Sequence, residues 1–224
     1  MPIPEIRDLL DLSHTLAAPL FEGKRFPWEI LSGLSDFIRA LGKTLPTEEY
    51  DEIAPEVWVH KSAKIAPTAL IGAPAVIGAG TEVRHCAFIR GSALVGEGCV
   101  VGNSTEVKNA VIFDGVQVPH YNYVGDSVLG YKSHMGAGVV ASNFRSDKGN
   151  VAVRCGDERI ETGLRKLGAI LGDRSDVGCN SVLCPGSVVG RDCIVYPLSR
   201  VRGFVPGNSI LKGDGTVVPR ENRK

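Results

Sequence analysis

The sequence predicts a mainly β protein, a parallel β-helix of hexapeptide repeats. The first observation is a period. From Val59 an aliphatic residue returns at Ile65, Ile71, Ile77, Val83, Ile89, Val95, Val101 and Val107. The second is what surrounds each anchor. Gly follows it at 72, 78, 96 and 102, and the fifth residue of each hexad is small or a β-branched polar, from Ala63 to Thr105. A period of six is neither the 3.6 of a helix nor the 2 of an ordinary strand. It belongs to coils in which each hexad supplies one short strand and one corner. The aliphatic side chain fills the inside of the corner, and Gly permits the tight turn. Three hexads close one triangular coil, so residues three hexads apart stack about 4.8 Å from one another.

The N-terminal segment differs in kind. Pro4 to Leu12 reads as a short helix with Pro in its first turn. A second starts near Pro27, with Ile30, Leu31, Leu34, Phe37, Ile38 and Leu41 at helical spacing and Gly42 as its stop. Residues 1–56 are therefore expected to form a helical cap and linker, the helices shielding the open end of the first coil. The coils run from 57 to 205. The phase set by Val59 holds through Val107 and Phe113, then breaks at Pro119-His120-Tyr121-Asn122-Tyr123 and resumes at Leu129-Gly130 and Met135-Gly136. An insertion at about 144–168 carries a hairpin signal, Val151–Arg154 and Arg159–Thr162 about a Cys155-Gly156-Asp157 turn. Insertions in repeat proteins gather on the functional face. The coils return from Leu171-Gly172, and a tail of 206–224 has no repeat.

Composition excludes some classes. The 224 residues carry 25 basic and 25 acidic side chains, which argues against nonspecific nucleic-acid binding. No apolar run is long enough to cross a bilayer, and no signal-peptide pattern opens the chain. The six cysteines form no CxxC pair and no zinc spacing; they read as reduced packing residues of a cytoplasmic protein.

The exceptions to the repeat point to chemistry. Arg90 and Lys108 stand where the pattern wants Gly, three hexads apart and hence on one corner. Two cations about 5 Å apart in water repel by about 0.8 kcal/mol, and an anion such as phosphate would relieve that. Two solvated side chains splaying apart is the alternative. Arg84, one hexad earlier, falls on another edge of the triangle. His120 sits at the break in phase, where a displaced loop presents its side chains, and is a candidate general base. A surface histidine in a structural hydrogen bond is the competing reading.

These spaced residues carry a resemblance. Arg90, Lys108, His120-x-x-Tyr123-x-Gly125-Asp126, Met135-Gly136-Ala137-Gly138, Asn143 and Arg165-Lys166-Leu167-Gly168-Ala169 make residues 57–205 similar to a family domain. It is the left-handed β-helix acetyltransferase domain of bifunctional UDP-N-acetylglucosamine pyrophosphorylase/glucosamine-1-phosphate N-acetyltransferases, closest to the archaeal-type members. The resemblance implies a left-handed coil and a homotrimer with sites between subunits. It implies acetyl transfer from acetyl-CoA, without a required metal, to a phosphorylated amino sugar in nucleotide-sugar and cell-envelope biosynthesis. Arg90 and Lys108 match the sugar-phosphate positions, His120 the general base, and Tyr123 and Asn143 sugar contacts. His134 replaces a substrate-contacting Asn, and Lys148 is a weaker match to a basic position near substrate. Cys179, Pro197 and Lys212 match the coenzyme A side; Cys179 stands where many members have Ser, and Pro197 where others offer a backbone N–H. Residues 1–56 hold no Gly-rich phosphate loop, so no nucleotidyltransferase activity is expected of this chain alone. Two other classes remain: a non-catalytic sugar-phosphate or sugar-nucleotide binder partnering a separate nucleotidyltransferase, and a γ-carbonic-anhydrase-like metalloenzyme. For the latter, His85, His120 and His134 lack the close His pair that such a site uses.

Overall fold

The computed structural model describes residues 2–221. The period of six becomes a three-sided β-helix of about nine coils. Its first face begins with Val57–His60 and continues through Ala75–Ile77 and Ala93–Val95 to Ala169–Leu171, Ser187–Val189 and Phe204–Val205. The second runs from Lys64–Ile65 through Gln117–His120 and His134–Met135 to Ser209–Leu211. The third runs from Leu70–Ile71 through Phe88–Ile89 to Val182–Leu183 and Arg200–Val201. Glu106–Ile112 and Tyr123–Leu129 each pass through a corner and serve both the third and first faces. The anchors point inward, and Ile77, Ile89, Val95, Val101 and Val107 are fully buried.

The structure moves the break in phase. Val107 pairs with Ile89, three full hexads back, but Ala110, Val111 and Ile112 pair with Ala93, Leu94 and Val95, one position short of three hexads. The missing residue is therefore at the corner of Lys108 and Asn109, where the coil below uses Arg90, Gly91 and Ser92. Asn109 makes the shortened turn in the left-handed region, at φ +48, a conformation Asn tolerates better than most residues. Ile112 takes the inward position expected of Phe113, which is buried instead against Phe21, edge to face at 6.0 Å. Gln117–His120 is an unbroken strand, so His120 owes its exposure to the strand's end rather than to a displaced loop.

The N-terminal segment does not cap the first coil with its helices. It lies along the first face, from the late coils back to the early ones. Asp173 donates its N–H to the Leu9 carbonyl at 3.0 Å, and Asp114 to that of His14 at 3.1 Å. The helix Leu34–Gly42 packs on Ala75–Ile77 and Ala93–Val95, and Gly42 lies so close to Trp58 that a Cβ would meet its ring at 2.2 Å. The reason is the first face itself. Its outward residues Trp58, Val76, Leu94, Val111, Val128, Ile170 and Val188 are all apolar and all buried, so it needs a cover longer than one coil end. The open edge of the first coil is met instead by Tyr50–Ala54, antiparallel to Val57–His60, in the stretch expected as linker. At the other end, Ser209–Leu211 adds one more repeat strand. Val217–Pro219 returns antiparallel to it. At each end, one of the three terminal strands is thus met by a reversed strand.

One buried carboxylate fastens the cover. Asp173 accepts the N–H groups of Asp11 at 2.8 Å and Tyr131 at 2.9 Å, and faces Arg191 Nε at 3.2 Å. Burial pushes its carboxyl above the ordinary 3.8, against the pull of Arg191 and those two N–H groups. A raised folded pKa means that ionisation costs more in the fold than in the unfolded chain. Its contribution therefore declines as pH rises from 3.8 through the raised value, and is constant above it. Unfolding followed across that window should show the advantage of wild type over Asp173→Asn shrinking as pH rises; an advantage that grows with pH would contradict this.

The insertion forms the expected hairpin, Ala152–Cys155 against Glu158–Glu161, and lengthens one coil so that His134 pairs with Asp176, 42 residues on. Cys99 and Cys193 are buried at small-residue positions, and burial pushes the Cys99 thiol up to about 12, so it is a packing residue. No helix among the described residues is long and apolar enough to cross a membrane.

Candidate active site

Two edges of the third face hold the residues that the repeat does not explain. The first is the corner leading to the first face. The register stacks Lys108 on Arg90, as the spacing of three hexads requires. Each cation already has a carboxylate. Arg90 Nη1 meets Glu106 Oε1 at 2.8 Å, and its guanidinium carbon lies 5.9 Å from the Phe88 ring centre. Lys108 Nζ donates to Asp126 at 3.0 and 3.3 Å. The repulsion that a bound anion was expected to relieve is thus relieved in the free protein by two acids.

The two pairs are not alike. Arg90 is exposed and Glu106 half-buried, and a solvated pair of this kind adds little to stability. Asp126 is 4% exposed, and it also accepts from Asn109 Nδ2 at 2.8 Å and Asn143 Nδ2 at 2.5 Å. Asn143 reaches Tyr123 Oη at 3.0 Å with the same nitrogen. One carboxylate therefore aims Lys108, Asn109 and Asn143, and through Asn143 the phenol. Gly125 makes room for this: a Cβ there would lie 2.5 Å from Tyr123 Oη and 2.8 Å from Asn143 Nδ2. Burial raises the Tyr123 pKa above its usual 10, so the phenol keeps its proton at neutral pH and can donate to a ligand. Asp126, Asn109 and Glu106 were not among the expected site residues. Asp126 comes three hexads after Lys108 by count, but the shortened coil stacks Gly125 on Lys108, so the stacking rule places the acid one residue away from where it stands.

The second edge leads from the second face into the third. His120 is exposed here. Its carbonyl accepts from Gly138, that of Ala137 from Asn180, and that of Cys179 from Leu198, at 3.0, 2.8 and 2.9 Å. These bonds form one column: His120, Ala137, Cys179, Pro197. Lys212 directly follows Leu211, which pairs with Val195, so it arrives one coil beyond Tyr196 on the same edge. The structure brings together all three residues expected on the coenzyme A side, with His120 about 10 Å from Cys179, two coils away. Pro197 has no N–H, and the Leu198 N–H is spent on Cys179.

Two expected residues lie elsewhere. His134 is on the second face, where Nδ1 meets Asp176 Oδ1 at 2.8 Å. Lys148 is on the exposed inserted loop at φ +59, with its N–H on the Arg145 carbonyl. The two edges are separated by the width of the third face, about 10 Å for three strand residues. Tyr123 stands between them. The arrangement can hold a small molecule with a phosphoryl group at one edge and a proton-yielding group at the other. Among the described residues of one chain, no three His, Cys, Asp or Glu side chains converge as metal ligands.

Known proteins share this plan. No protein-family model matches the chain. A solved hexapeptide transferase family protein from Anaplasma phagocytophilum superposes with a TM-score of 0.50 at 17% identity, covering 74% of this chain and 79% of that one, a likeness of fold. The bifunctional protein GlmU of Methanococcus maripaludis strain C5 is 32% identical over 177 residues, 75% of this chain and 43% of its own length. A bifunctional sugar-1-phosphate nucleotidylyltransferase/acetyltransferase of Sulfurisphaera tokodaii is 40% identical over 88 residues, 39% of this chain and 22% of its own. The chain thus spans less than half of these bifunctional relatives. It matches the uncharacterized acetyltransferase YaiX of Escherichia coli K12 at 37% identity over 156 residues, 70% of this chain and 68% of that protein. With this similarity over most of both chains, and with its coils built on the same fold, the protein belongs to the hexapeptide-repeat acetyltransferases.

Proposed function

We propose that the chain transfers an acetyl group from acetyl-CoA to the amine of a phosphorylated amino sugar. The observation that carries this reading is the pair of edges flanking Tyr123. The sugar lies over Tyr123, its phosphate displaces Glu106 from Arg90 and takes the remaining donors of Lys108, and its amine faces His120. His120 removes the proton as the amine attacks the thioester carbonyl and returns it to the sulfur as the C–S bond breaks, so that coenzyme A leaves as the thiol; fixing the phosphate makes the attack effectively intramolecular. Acetyl-CoA runs along the column of Cys179, Pro197 and Lys212, and the Cys179 N–H supplies the oxyanion contact. His134 and Lys148 contribute only if a second subunit brings them to the groove. Leu70, Phe88 and Val182 on the third face are 61%, 39% and 41% exposed, which supports a homotrimer that covers this face.

Thiol release from acetyl-CoA with glucosamine-1-phosphate tests the proposal. His120→Ala should lower the rate by about 10²–10⁴-fold, the span of general-base catalysis, with the thermal unfolding profile unchanged. Equal background release by both proteins would reject catalysis. It would favour the second reading, a sugar-phosphate binder, to which the missing N–H at Pro197 lends support.

A further inference from the structure

The inserted hairpin creates a second cationic site that the acetyl-transfer reading does not use. It rests on the coil corner through two glycines with positive φ, Gly186 at +77 and Gly203 at +79. A Cβ at Gly186 would lie 3.0 Å from the Ala152 carbonyl oxygen, and one at Gly203 3.0 Å from that of Arg154. The seat is therefore built for close approach of the two backbones. Between hairpin and coil lies a cavity of about 360 Å³, lined by Arg145, Arg154, Arg200 and Arg202, with Cys184 and the Pro185-Gly186 turn on its wall. Its single acid, Asp147, is already held by Arg145 at 2.9 Å. Arg154, Arg200 and Arg202 have no ion pair or side-chain hydrogen bond among the described residues. Arg154 also stands directly across the hairpin from Arg159. The chain as a whole carries no net charge, so three uncompensated guanidiniums around one cavity are a local concentration of positive charge.

We propose that this cleft binds a phosphate-bearing small molecule, its phosphoryl or diphosphate group held by Arg154, Arg200 and Arg202. Guanidinium forks match phosphate oxygens two at a time. The cavity volume lies at the lower end of small-molecule pockets, which suits a phosphorylated metabolite or one end of a nucleotide. The cleft is on the same corner column as Lys108 but beyond the insertion, several coils away, so it is separate from the sugar-phosphate corner. Phosphate binding in this cleft does not depend on whether that corner serves acetyl transfer.

The probe is inorganic pyrophosphate, titrated calorimetrically into the full chain at low ionic strength. Wild type should bind, and binding should weaken as salt is raised. Arg154→Ala/Arg202→Ala should weaken it at least about tenfold, equivalent to ~1.4 kcal/mol, with the melting profile kept. Arg84→Ala, which removes an exposed arginine on another edge of the coil, should leave it within about twofold. No binding by wild type, or equal binding by the double arginine variant, overturns the proposal. Loss confined to Lys108→Ala also overturns it and assigns the pyrophosphate to the sugar-phosphate corner. Competition then assigns the source: displacement by coenzyme A identifies donor phosphates, displacement by glucosamine-1-phosphate identifies the acceptor, and displacement by uridine diphosphate alone identifies a nucleotide ligand.

Discussion

A chain lacking residues 1–49 is expected to self-associate or fail to fold. The first face presents Trp58, Val76, Leu94, Val111, Val128, Ile170 and Val188 outward, one above another, each buried under the N-terminal segment. Fully burying one such side chain is worth about 1.5–3 kcal/mol. The stripe as a whole is then worth on the order of 10 kcal/mol, an upper figure because unfolded chains already bury some of it. The same segment carries Leu34 and Ile38, which are fully buried, so both partners lose their apolar cover together. Exposing a contiguous stripe of this kind invites association. Size-exclusion chromatography with light scattering, beside binding of a fluorescent apolar dye, reads the effect. A truncated chain with the parent's oligomeric state, dye response and melting temperature would contradict it.

Asp126→Asn is expected to damage both stability and catalysis. The substitution keeps the volume but removes the charge that holds Lys108, and it offers a donor where Asn109 and Asn143 already donate. Breaking a buried ion pair costs about 3–5 kcal/mol. Lys108 is 29% exposed, and water can reach its ammonium, so a loss of about 2–3 kcal/mol is expected. For a chain of this size that lowers the melting temperature by roughly 5–10 °C. Because Asp126 aims the lysine proposed to hold the phosphate, KM for the sugar phosphate should rise more than about tenfold, whereas His120→Ala should act mainly on kcat. Lys108→Ala in the Asp126→Asn background should cost much less than in wild type, since the two act as one unit. Additive effects of the two substitutions would show that Asp126 does not work through Lys108.

The stacking of Arg90 and Lys108 was legible because it depends only on counting: one coil takes three hexads, and two cations at that spacing must meet. The same count misplaces Asp126: the shortened coil stacks Gly125 on Lys108, and the buried acid stands one residue further along the corner. The shortened corner was harder to place. A single missing residue shifts every later anchor, and the shift becomes visible only downstream, at Pro119 to Tyr123, although Asn109 causes it. The cover over the first face left a signal too. Every third hexad has an apolar residue at its outward position, from Trp58 to Val188, whereas the second face carries Lys64, Glu82, Gln117 and Asp176 there. A stripe that repeats every third hexad requires a partner along the side of the helix, not at its end.

The period of the chain by itself determined the coil, its three faces and which residues share a corner. In a β-helix each coil pairs with its neighbours, so register follows from local spacing alone. Only the tertiary structure decided which way the N-terminal segment runs, that Glu106 and Asp126 neutralise the two stacked cations, and that the hairpin closes an arginine-lined cleft against Gly186 and Gly203. Those contacts join residues far apart in the chain through side chains whose directions no period encodes. The two cations remain the candidate phosphate site, now with Arg90 as the releasable partner and Lys108 as the one held in place.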